Sequence, residues 1–129
     1  MFDLSVNFMG LRLKNPIIAG SSGLTQTVDD LIKLESSGVA AIVMKSLFEE
    51  QIYLDAAYLR QNNNENSYGE PQYFETVDYI ENHIRREYLS SCIDTISEAK
   101  RKTNIPIIAS INCISASGWT SFASKLQDA

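Results

Sequence analysis

The residues of this chain best suited to chemistry sit where short apolar runs end. Ile17-Ile18-Ala19 opens directly into Gly20-Ser21-Ser22-Gly23, and Ala41-Ile42-Val43-Met44 ends on Lys45-Ser46. A third run, Ile107-Ile108-Ala109, ends on Ser110-Ile111-Asn112. Glycines at such positions let backbone N–H groups approach a flat or anionic ligand. A lysine there holds a point positive charge that suits an electron-rich heteroaromatic ring or a carboxylate. Each feature has a plainer reading, as a simple turn or a solvated charge. Convergence is what carries the functional one. If the three runs are parallel strands, all three polar sets fall on the face where α/β proteins bind ligands.

The flanking sequence predicts such strands. Residues 3–14 alternate apolar and polar side chains around Gly10, with Leu4, Val6 and Phe8 before it and Leu11 and Leu13 after, the period of a short hairpin. Pro16 starts the next run, as suits a residue without a ladder donor. Thr27 is placed to cap a helix with Asp29 and Asp30 in its first turn, and Gly38 to stop it. Residues 39–46 then read as a strand covered on both faces. From Ser46 to about Tyr73 the regularity breaks: LFEEQIYLDAAYLRQ reads as short extended or helical pieces, and QNNNENSYGEPQ as a long polar loop. Tyr53, Tyr58, Tyr68 and Tyr73 flank it, either as loop packing or as a lid over a ring.

Helical period returns at Leu89, Cys92, Ile93, Ile96 and Ala99, ending in Lys100-Arg101-Lys102. PIIASIN forms the third strand, and Ser115 caps a last helix with Trp119, Phe122, Ala123 and Leu126 on one face. The order is hairpin, then β-α-β-loop-α-β-α: an α/β fold with a parallel sheet and right-handed crossovers. SFASKLQDA stops in the helix with no glycine cap and no following strand, so the chain reads as the N-terminal part of something longer.

Composition narrows the function classes. The 129 residues are 44% hydrophobic and 21% charged, with a net charge of -5. That acidic balance argues against nucleic acid, which needs clustered Lys and Arg. No apolar run approaches the roughly 20 residues of a membrane helix, and the N-terminus has no signal-peptide pattern. Cys92 and Cys113 form no metal-type pair and read as reduced structural thiols of a cytoplasmic protein, and no metal site is expected. His83, in the polar stretch YIENHIRRE, reads as solvated.

LKNPIIAGSSG followed by a strand ending VMKS resembles the start of the class 1 dihydroorotate dehydrogenases and of the flavin domain of dihydropyrimidine dehydrogenase. PIIASINCISASGWTSFASKLQDA resembles the third strand and helix of the same group, in particular the bacterial dihydroorotate dehydrogenase-like proteins. The resemblance implies the N-terminal portion of a TIM (β/α)8 barrel, about three βα units preceded by a short β-hairpin, with FMN at the mouth. The Ser22-Gly23 pair then matches the serine-glycine that contacts the flavin, with Ala19, Gly20 and Ser21 as its approach. The turn is one residue longer than in typical members, leaving the contact to either serine. Lys45 matches the lysine beside flavin and substrate, Ser46 its neighbour, and Ser110 and Asn112 a further flavin-facing set. Asn66, Ser67, Tyr68, Gly69 and Pro71 fit the N-S-x-G-x-P substrate loop, with Glu70 where an apolar residue is usual.

The implied reaction is hydride transfer between a dihydropyrimidine-like small molecule and FMN. The family's proton-abstracting base lies beyond Ala129, so no catalytic residue is assigned within these 129 residues and the segment alone is expected to be inactive. Exposed strand edges make a homo-oligomer possible. A different class remains open from the residues themselves: a non-redox barrel enzyme or binding module for a phosphate ester or heterocycle.

Overall fold

The structure is a computed structural model that describes residues 2–64 and 73–129. Strands β1 (Val6–Phe8) and β2 (Leu11–Leu13) form the antiparallel hairpin, with Met9 and Gly10 at positive φ in its turn. Strand β3 (Ile18–Ala19) leads through a 3-10 turn (Gly23–Thr25) into helix α1 (Val28–Ser36) and strand β4 (Ala41–Val43). Strand β5 (Leu47–Phe48) runs directly into helix α2 (Glu49–Asn64). Helix α3 (Tyr73–Lys102), strands β6 (Ile107–Ile108) and β7 (Ile111–Asn112) and helix α4 (Ala116–Gln127) complete the order. Strands β3, β4 and β6 are adjacent and parallel, in the register Ile18↔Ala41 and Ile42↔Ile107. Strands β5 and β7 make a second parallel pair, Leu47↔Ile111. This is a mixed α/β architecture of βα units, and among the described residues the sheets close no barrel.

Local chemistry explains the first βα unit. Thr27 Oγ1 accepts from the Asp30 N–H at 3.3 Å, which satisfies one orphan donor of α1. Leu31 on the inner face is fully buried, in a cluster with Ile42, Met44, Ile96 and Ala99. Gly38 ends the helix at φ +96°, donating its N–H to Glu35 O at 2.9 Å. Only glycine adopts that angle without strain, so Gly38→Ala is expected to cost about 1–2 kcal/mol in a urea unfolding titration. An unchanged midpoint would refute the strain.

Of the region expected to be irregular, Glu49–Asn64 forms one helix, α2, and residues 65–72, most of the expected polar loop, lie outside the described residues. Helix α3 is already present at Tyr73, well before the period that marked it at Leu89. The reason is a blurred pattern. Ile52 and Ala56 face the core while Leu54, Tyr58 and Leu59 are exposed, so apolar groups on both sides of α2 erase the periodicity. Glu49 and Glu50 in the first turn favour the helix electrostatically. The face of α4 also differs: Gly118 and Phe122 are buried and Leu126 packs behind them, while Trp119 and Ala123 are exposed. No described helix is long and apolar enough to cross a membrane.

Candidate functional site

The ladder from β4–β6 into β5–β7 is interrupted, and the interruption builds the site. Met44 N donates to Ile108 O (2.8 Å) on one side of the gap and Leu47 N to Ser110 O (2.9 Å) on the other. Between them the two backbone donors turn to the loop after β3. Lys45 N reaches Thr25 O at 3.0 Å, and Ser46 N reaches Ser21 Oγ at 3.0 Å. Backbone N–H groups must find partners, so a two-residue break in the ladder becomes two ties to a neighbouring loop. Ser46 Oγ then lies 3.1 Å from Ser21 Oγ and 2.7 Å from Ser110 Oγ. Three hydroxyls from three adjacent parallel lanes are joined in one row.

Other site residues fall around this row. Lys45 is exposed at its rim, and its Nζ donates to the neutral Gln26 Oε1 at 3.1 Å, so the ammonium keeps its solvation. Ser22 is turned aside: its Oγ caps the 3-10 turn by accepting from Leu24 N (3.2 Å), while Thr25 Oγ1 accepts from Ser22 N (3.0 Å). Of the two serines, Ser21 therefore faces the row. Ala19 sits in β3 against Ile42. A Cβ on Gly20 or Gly23 would meet nothing within 4 Å, so both leave open backbone beside the row. Asn112 is exposed in β7, opposite Phe48 and two residues past Ser110. Asn66, Ser67, Tyr68, Gly69 and Pro71 lie outside the described residues.

A cleft of about 550 Å³ opens between Lys45–Phe48 and α3, touching Gln26, Tyr88 and Cys92. Of the site residues it includes Lys45 and Ser46 but neither Ser21 nor Ser110, so it flanks the row. Three hydroxyls converge at the row. Burial pushes the thiols of Cys92 and Cys113 up, and the Glu49 carboxylate raises Cys113 further, so neither is an activated thiolate. His83 is largely exposed, 3.3 Å from Glu87 Oε1 and stacked on Tyr79. Among the described residues no cluster of acidic, His and Cys side chains is gathered for a metal.

The structure adds a group that sequence reasoning missed. Glu49, immediately after β5, is completely buried. Its Oε2 accepts from the N–H groups of Ile114 (2.8 Å) and Ser115 (2.9 Å); its Oε1 accepts from Ser115 Oγ (2.8 Å) and Arg85 Nη2 (2.7 Å). Burial pushes its carboxyl up, but the Ser115 N–H and hydroxyl, the Ile114 N–H and Arg85 together outweigh that, and the group is held below the usual glutamate range. Arg85 also donates to Tyr53 OH at 2.9 Å and lies over the rings of Tyr53 and Phe122. Tyr53 is thus part of an internal network instead of a lid, and Tyr58 is exposed. Glu49 binds the end of β5 to the start of α4, which fixes β7 and Ser110 opposite Ser46. No spacing rule connects Glu49, Arg85 and Ser115; only the crowding at Gly118, in Ser115-Ala116-Ser117-Gly118, hints at a close neighbour.

No protein-family model matches the chain, and no solved structure does. A curated protein is similar to it. Dihydroorotate dehydrogenase B (NAD(+)), catalytic subunit, of Thermoplasma acidophilum is 26% identical over 130 residues. The alignment takes in 99% of this chain and 39% of that protein, so the chain spans well under half the relative's length. The similarity is distant, and the alignment spans the elements that build the hydroxyl row.

Proposed function

We propose that these residues form part of the flavin and substrate site of an FMN-dependent oxidoreductase of the dihydroorotate dehydrogenase kind, built as the first βα units of a TIM-barrel domain. The observation that carries this reading is the row Ser21–Ser46–Ser110, drawn from three parallel lanes, with the Lys45 ammonium at its rim. The distant similarity to a dihydroorotate dehydrogenase catalytic subunit supports it.

The residues present fit a flat heterocycle. Open backbone at Gly20 and Gly23 gives room for a ring to approach, and hydroxyls that both donate and accept suit its polar edge. Ala19, Gly20, Ser21, Ser46 and Ser110 would hold FMN, with Ser22, Gly23 and Asn112 bordering it. FMN, when bound, supplies the two-electron acceptor for a hydride. Lys45 would offset the negative charge that builds up on the ring and hold a substrate carbonyl or carboxylate. The loop Asn66, Ser67, Tyr68, Gly69 and Pro71 would bind a dihydropyrimidine-like substrate from the other side.

A visible absorption spectrum of the intact protein tests the cofactor. Flavin bands are expected, and a colourless protein that takes up no added FMN would return the site to a non-redox barrel. Lys45→Met keeps the side chain's length and removes its charge. It is expected to slow flavin reduction by substrate about 100-fold while leaving unfolding nearly unchanged, because the strand packs through Ala41, Ile42 and Met44. Reduction at the wild-type rate would make Lys45 a bystander.

A further inference from the structure

We propose that Ser21, Ser46 and Ser110 act as a reversible hydrogen-bond relay that offers a ligand one hydroxyl proton, at either end of the row but never at both. The proton count gives this result. Three hydroxyls hold three protons, and the links Ser21–Ser46 (3.1 Å) and Ser46–Ser110 (2.7 Å) use two. When the row runs from Ser21 towards Ser110, the spare proton is on Ser110. When it runs the other way, the spare proton is on Ser21, whose oxygen takes both the N–H of Ser46 (3.0 Å) and its hydroxyl on two lone pairs. The third arrangement, with both ends donating to Ser46, leaves the proton of half-buried Ser46 without a partner, which costs free energy.

Among the described residues no other hydrogen bond engages the Ser21 or Ser110 hydroxyl, so no neighbour fixes the direction. Reversal needs only rotation of hydroxyl hydrogens, and no heavy atom moves. Only one end at a time therefore has a proton to give, while the other can only accept. A heterocycle with an acceptor and a donor on one edge is met at both ends, whereas of two acceptors only one finds a hydroxyl proton. Resting on the flavin reading, the relay also suits a ring whose edge nitrogen accepts a hydrogen bond when oxidised and donates one when reduced: the row reverses to match either state.

The test is a mutant cycle in the intact protein, with FMN as the probe. Ser21→Ala, Ser110→Ala and the pair are made with Ser46, with Ser46→Ala and with Ser46→Thr. Through the relay, the effects of Ser21→Ala and Ser110→Ala on the FMN dissociation constant are expected to be non-additive by at least about twofold, although the two side chains share no hydrogen bond. The coupling is expected to vanish with Ser46→Ala and to persist with Ser46→Thr, which keeps the hydroxyl. Additive effects, or coupling that survives Ser46→Ala, would overturn the relay. If the wild-type protein takes up no FMN, the flavin reading fails by itself. The same cycle on the urea unfolding constant then decides the relay, with the same coupling expected and the same two outcomes overturning it.

Discussion

Glu49→Ala is expected to destabilise the intact protein by about 3–5 kcal/mol, the usual result of removing one partner from a buried ion pair. The Glu49 side chain is fully buried and Arg85 only 22% exposed, so the abandoned guanidinium regains little water. The substitution also strips the partner from two backbone donors, Ile114 and Ser115, at the start of α4. A urea unfolding midpoint measures the cost, and a loss under about 1 kcal/mol would mean that water replaces the carboxylate readily. The pH dependence has a definite sign. The folded carboxyl is held below its unfolded value, so its stabilisation is complete above the ordinary glutamate range and is lost as pH falls through the folded value. Wild-type stability should therefore drop steeply on acidification below that range, and the slope should be shallower for Glu49→Ala.

Gly118→Ala is expected to destabilise by about 1–3 kcal/mol, as overpacking does. At an ordinary helical site the same change would help, since alanine exceeds glycine in helix propensity by about 1 kcal/mol. Here an added Cβ would stand 2.5 Å from Glu49 Oε1 and 2.7 Å from Ser115 Oγ. The carboxylate is held by four hydrogen bonds and cannot step aside without giving some of them up. The two substitutions are therefore coupled. With Glu49→Ala in place the carboxylate is gone and the Ser115 hydroxyl is released from it, so the penalty should shrink by at least about 1 kcal/mol. Equal penalties in both backgrounds would show that the clash relaxes at no cost.

The sequence by itself determined the hairpin, the parallel order of β3, β4 and β6, the caps Thr27 and Ser115, the stop at Gly38 and the facing of Lys45-Ser46 towards the turn after β3. The hairpin, the caps and the stop are local matters, since a period of two, a capping hydroxyl or a glycine angle acts within a few residues of itself. The parallel order and the common face of the strand ends follow from the alternation of strands and helices. Tertiary structure alone decided the rest. Helix α2 formed despite its mixed apolar faces because Ile52 and Ala56 found a core shared with Phe122 and Leu89. Ser21 and Ser22 are indistinguishable as residues; a break in the ladder drew Ser46 N to Ser21, while Thr25 claimed Ser22. Glu49 lies 36 residues from Arg85 and 66 from Ser115, and a buried carboxylate becomes tolerable only where the chain brings four donors to it at once. Long-range polar satisfaction has no spacing in the sequence, and it is what holds the hydroxyl row in place.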